Sequence, residues 1–240
     1  MGNIPFDYLV RKSNLALSPL FKWIVANCFS DFNIFDSKRE QKRKILQMMF
    51  TNKNYLNQVS LIEIMLRQND MLITQCIKEY FDEVKKISDR DVEMVGHILM
   101  YLYNFNWTLS QHIVSKIKDN NQLYKILSVE NSDKYTLLVY VCKDSSIDII
   151  NWLLRIMPTD HPTLFSAETV YGKTALMYLV ERALLFAADN LLKKITDHSQ
   201  RMQLIQHIDH ENKSILDDAK QQDIPNRMQW IESQMQMSES

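Results

Sequence analysis

The sequence predicts an all-α protein built as a solenoid of helical hairpins, and three observations carry that prediction. Glycine occurs three times and proline five times in 240 residues. A β-rich chain needs turn residues roughly every ten positions, so this scarcity favours helices joined by polar turns. Leucines recur at 61, 99, 138, 176 and 216, separated by 38, 39, 38 and 40 residues, and a fixed period in this range marks a repeat array. Fifteen residues after each comes an apolar echo, at Cys76-Ile77, Val114, Leu153-Leu154, Leu191-Leu192 and Ile231.

Composition narrows the class further. The hydrophobic fraction is 46% and the charged fraction 24%, enough apolar surface to fold rather than stay disordered. A net charge of −1 gives no global pull toward nucleic acid or an acidic membrane. The cysteines Cys28, Cys76 and Cys142 are odd in number and far apart, which suits buried thiols in a reducing intracellular compartment better than a disulfide framework. No window holds the roughly 18 uninterrupted apolar residues of a membrane span, and no secretory signal pattern opens the chain. Gly2 invites myristoylation, but Phe6 stands where that motif wants Ser or Thr. A soluble chain is expected.

The elements follow in order. Residues 1–54 read as a helical N-terminal segment, with apolar patches at 4–10 and 15–29 and a helix opening near Asp36 or Ser37. Lys38, Arg39, Lys42, Arg43 and Lys44 make its front basic. They form a candidate nucleic-acid patch, but a solvated helix face is the preferred reading because no aromatic residue interleaves them. Residues 55–130 read as divergent helical hairpins and 131–232 as more regular ones, each a short helix, a polar break and a second helix. The breaks fall at Gln68-Asn69-Asp70, at residues 143–146 and at Gln221-Gln222-Asp223. Residues 233–240 read as a flexible polar tail.

Within 131–232 the residues resemble a known family. "YGKTALMYLVERALLFAADNLLKKI" (171–195) is similar to an ankyrin repeat through Gly172, Thr174, Leu176 and Leu191-Leu192, with Ala175, Met177 and Leu179 departing from its pattern. Residues 133–154 match through Thr136, Leu138 and Leu153-Leu154, and 210–231 through Ser214, Leu216, Ala219 and Ile231. The resemblance implies that Thr136 and Thr174 cap their helices and that neighbouring hairpins stack into one elongated core. The period exceeds the family's length of about 33 residues, so the connectors are longer. They are expected to hold extra helical turns, with regular hairpin fingers left open.

Counting two residues on from the repeat leucines gives Tyr101, Tyr140 and Tyr178, with Glu63 and Asp218 in the outer units. The resemblance places this position on a concave face, with equivalent residues about 10 Å apart. A tyrosine ladder there would offer stiff contact area with polar tips, and the acids would favour a basic partner. Filling gaps between helices is the other reading of the same rings. Tyr135 and Tyr171 sit in the connectors as further partner-facing candidates, while Trp152 and Trp230 share a register position that suggests packing.

No enzymatic motif emerges. Glycines at 2, 96 and 172 cannot form a phosphate-binding loop. His207 and His210 lack the companions of a zinc site, and a nucleophilic pairing of Cys142 with His112 has no motif behind it. The sequence calls for no cofactor and no metal. The expected function is therefore a protein-interaction module binding a protein partner. Degenerate ankyrin-like repeats and the polar tail "ESQMQMSES" resemble effectors that intracellular bacteria deliver into host cytosol. The alternatives are an enzyme with an unmotifed site whose repeats recruit substrate, and a nucleic-acid-associated regulator using residues 38–44.

Overall fold

The computed structural model describes residues 71–83, 87–89, 91–221 and 225–236. The expected N-terminal segment 1–54, the basic run Lys38–Lys44, Leu61 and Glu63 lie outside the described residues. Within them the chain is all-helical, with no strand. The helices are α1 (Met71–Glu83), α2 (Val92–Phe105), α3 (Trp107–Lys116), α4 (Asn120–Leu127), α5 (Leu137–Asp144), α6 (Ile147–Ile156), α7 (Ala175–Glu181), α8 (Leu185–Lys194), α9 (His198–Ile205), α10 (Ile215–Gln221) and α11 (Pro225–Gln236), with a 3-10 turn at Pro162–Leu164. None is long and apolar enough to cross a membrane.

The chain divides into two compact units. One comprises the described residues up to Met94 together with Asn104–Ile117, and the other Val95–Tyr103 together with the described residues from Lys118 onward. In the first, α1 packs on α3, burying Ile77, Phe81 and Ile113. Asp82 on α1 meets two side chains of α3, His112 Nε2 at 2.8 Å and Lys116 Nζ at 3.1 Å. The Lys116 bond holds the Asp82 carboxyl below its usual value against the opposing effect of burial, with His112 assisting.

The second unit shows how this sequence makes its helices. Thr136 Oγ1 accepts the Val139 N–H and Thr174 Oγ1 the Met177 N–H, both at 3.4 Å. Ser214 Oγ accepts the Asp217 N–H at 3.2 Å while Asp217 Oδ2 accepts the Ser214 N–H at 3.0 Å, a reciprocal capping box. Each cap supplies an acceptor for a backbone N–H that the helix itself leaves orphaned. α5 packs on α6 and α7, α7 on α8 and α10, α10 on α11, and α6 on α8. Leu138, Leu153, Leu154, Leu176, Leu191, Leu192 and Ile231 are all buried. In α10 Ile215 and Ala219 are fully buried, and the repeat leucine Leu216 is only half-buried.

The connectors hold the helical turns expected of them, α4, the 3-10 turn and α9. Each ends on a buried apolar pair, Ile126-Leu127, Leu164-Phe165 and Leu204-Ile205, at separations of 38 and 40 residues. A tight turn follows each pair. Asn131 Oδ1 accepts the N–H groups of Asp133 and Tyr135, both at 2.9 Å. Thr169 Oγ1 accepts those of Tyr171 and Lys173, both at 3.2 Å. Asp209 Oδ1 accepts those of Glu211 and Lys213 at 2.8 and 3.0 Å. The fourth residue of every turn is left-handed, with φ of 58° at Lys134, 74° at Gly172 and 60° at Asn212.

The turns are joined edge to edge. The Val170 N–H donates to Asp133 O and the His210 N–H to Tyr171 O, each at 3.0 Å. Beyond them, the Arg182 guanidinium donates to Cys142 O at 2.8 Å and Ser145 O at 2.7 Å, satisfying carbonyls at the end of α5 from the next hairpin along. At the C-terminus α11 continues to Gln236, into the segment expected to be a tail. It is held there by Trp230 Nε1 and Gln234 Nε2, which donate to Asp189 Oδ1 at 2.8 and 3.2 Å.

Two of the left-handed positions favour a residue without a Cβ, and only one of them holds glycine. At Gly172 an added Cβ would lie 2.8 Å from His210 N, backbone that the turn-to-turn bond holds in place. Ala183, between α7 and α8, carries a Cβ at φ 57°, where glycine sits without strain. We expect Gly172→Ala to lower unfolding stability by about 1–3 kcal/mol and Ala183→Gly to raise it by about 0.5–1 kcal/mol. Urea midpoints moving in the same direction for both would contradict this.

Candidate functional site

Of the positions read from the sequence, Tyr101 lies on α2, Tyr140 on α5, Tyr178 on α7 and Asp218 on α10, while Tyr135 and Tyr171 lie in the turns. Tyr140, half-buried, sets its ring 5.4 Å from that of Tyr103 and 5.3 Å from that of Tyr135. Tyr135 in turn lies 6.3 Å from Tyr178, and their hydroxyls are 3.0 Å apart. Tyr101 is half-buried and stacks on His97, with centroids 6.4 Å apart. The chain of rings thus runs Tyr103–Tyr140–Tyr135–Tyr178. Tyr103 meets Tyr140 where the register count had named Tyr101.

That difference has a local cause. α5, α7 and α10 each begin one residue before their repeat leucine, whereas α2 begins seven residues before Leu99. A count anchored on Leu99 therefore enters α2 in its second turn. Burial corrects a second expectation. Tyr135 and Tyr178, expected to face a partner, are only 6% and 8% exposed, so they fasten turn to helix and present little area for binding. Burial and the Tyr135 hydroxyl push the Tyr178 phenol up.

Charge gathers at the α10 end. Lys173 pairs with Glu181 and sets its ammonium 5.8 Å from the Tyr178 ring centre. Burial opposes the Lys173 charge, but Glu181 more than offsets it and the ammonium titrates above its usual value. Asp218, half-buried, has an Oδ2 that is shut from solvent and accepts no hydrogen bond. Burial, and then the neighbouring Glu181 carboxylate, push its acid up.

The turn edge is the more open surface. Tyr171 is 61% exposed, Ile208 53% and Val170 38%, three large apolar side chains on two adjoining turns. His207 and His210, which carry no zinc motif, have backbone roles here. His207 Nε2 donates to Gly172 O at 2.7 Å and His210 Nδ1 to Val170 O at 3.0 Å, since a carbonyl can only accept. Among the described residues no group of three or more His, Cys, Asp or Glu side chains is placed to hold a metal ion. Cys142 is fully buried and its thiol is pushed far up by burial, with Arg182 opposing weakly. It therefore makes a poor nucleophile at neutral pH. The chain matches no model of a known protein family and no curated protein sequence.

The raised acid of Asp218 gives a pH signature. A carboxyl whose native pKa lies above its unfolded value binds its proton more tightly when folded, so ionising it weakens the native state. Asp218→Asn should therefore stabilise the protein at pH 7. The gain should shrink as pH falls through the raised native value and vanish below the ordinary value of 3.8. Chemical denaturation of both proteins at pH 7 and near pH 3.5 reads this. A variant less stable at pH 7, or a gain independent of pH, would contradict it.

Proposed function

We propose that the chain is a protein-interaction module, an ankyrin-like stack that binds a protein partner along its turn edge and the adjoining face of α5, α7 and α10. The observation that carries the reading is the recurrence of one turn at Asn131, Thr169 and Asp209, each bonded to the next through its backbone. Units joined this way present equivalent side chains at regular steps, a geometry suited to a broad contact surface rather than a single reactive centre. The exposed Val170, Tyr171 and Ile208 add apolar contact area, and clustered surface apolar groups of this kind favour a partner. Half-buried Tyr101, Tyr140 and Asp218 extend that surface toward a partner with basic residues.

Affinity capture from eukaryotic lysate tests the reading. The wild type is run beside Val170→Ser/Tyr171→Ala/Ile208→Ser, which removes only exposed groups, and beside Phe186→Ala, an exposed control on α8. The proposal expects a partner retained by wild type and control and lost by the triple variant. No specific partner, or one captured equally by all three, would overturn it.

A further inference from the structure

We infer a second binding site, for a cationic side chain of the arginine type, in the groove between the connector at 162–168 and helix α9. The groove encloses about 340 Å³, room for one long side chain. Its floor is apolar, formed by the buried Ile195 and Leu204. Its walls carry Glu168, His207, Gln200 and Gln203.

The polar groups point to the sign of the ligand. His207 spends Nε2 as a donor to Gly172 O, so in its neutral form Nδ1 can only accept. That nitrogen lies 3.8 Å from Glu168 Oε1, beyond a hydrogen bond, leaving the carboxylate's lone pairs available. Two glutamine amides and the Thr163 and Ser166 hydroxyls can each offer an oxygen acceptor as well as a donor, and neither lysine nor arginine lines the groove. A site rich in acceptors with one anion fits a donor-rich cation. Guanidinium brings five N–H donors in a planar fork and no acceptor. Its aliphatic stem would lie along Ile195 and Leu204, as long cationic side chains do on apolar surface.

This site adjoins the turn edge through His207, but it does not depend on the partner reading above, because its test needs no partner. Full-length protein with labelled isoleucine and leucine methyls is titrated with N-acetyl-arginine amide, and with N-acetyl-citrulline amide, the neutral isostere. The proposal expects saturable shifts of the Ile195 and Leu204 methyls by the arginine compound, with a dissociation constant on the order of 1 mM, the scale of a single side chain. The citrulline compound and the Glu168→Gln protein should each bind at least about tenfold more weakly. Glu211→Gln, an exposed acid on the following turn, should leave binding unchanged and so excludes general surface charge. Absence of saturation at about 50 mM, equal binding of both compounds, or an unaltered Glu168→Gln protein would overturn the assignment.

Discussion

Two backbone hydrogen bonds, from Val170 N–H to Asp133 O and from His210 N–H to Tyr171 O, set the spacing on which the rest of the second unit depends. Turns carry backbone donors and acceptors that no helix satisfies. Here one side-chain oxygen takes two of those donors inside each turn, and in the second and third turns the preceding turn takes one more. The turn therefore has a fixed shape before its helix starts, and its place beside the next turn is fixed as well. Thr136, Thr174 and Ser214 then begin their helices five residues after the turn oxygen, so α5, α7 and α10 inherit that spacing.

The features with chemical potential derive from this arrangement. Tyr135 is part of the first turn and reaches Tyr178 on α7. His207 and His210 brace the last turn against the one before it. His207 thereby has one ring nitrogen committed, which leaves the other facing Glu168. Asp218 is placed beside Glu181 by the packing of α10 on α7. Its buried oxygen, which accepts no hydrogen bond, is a local cost in stability.

Much of this order is legible in the sequence, and the reasons for the remainder are physical. The leucine period and its fifteen-residue echo reveal the helix pairs because apolar burial demands a repeated residue class. The caps at Thr136 and Thr174 are legible because few side chains can accept at a helix start. The turn oxygens at Asn131, Thr169 and Asp209 escape notice because an amide, a hydroxyl and a carboxylate perform the same task, and only their shared role as acceptor unites them. The connector pairs Ile126-Leu127, Leu164-Phe165 and Leu204-Ile205 repeat as faithfully as the leucines, in segments where polar neighbours mask them. Tyr103 is missed because α2 begins earlier than its counterparts, and the burial of Tyr135 follows from a contact 43 residues away.

The account rests on the turns being locked to one another, and amide hydrogen exchange at Val170 and His210 tests this most directly. Both residues lie on the exposed turn edge, where unbonded amides exchange at the rate of an open loop. The account predicts protection of both N–H groups comparable to that of buried helical amides in α7, such as Leu179. Exchange at the unprotected rate in a protein whose α7 amides remain protected would show that the turns are not locked, and would contradict it.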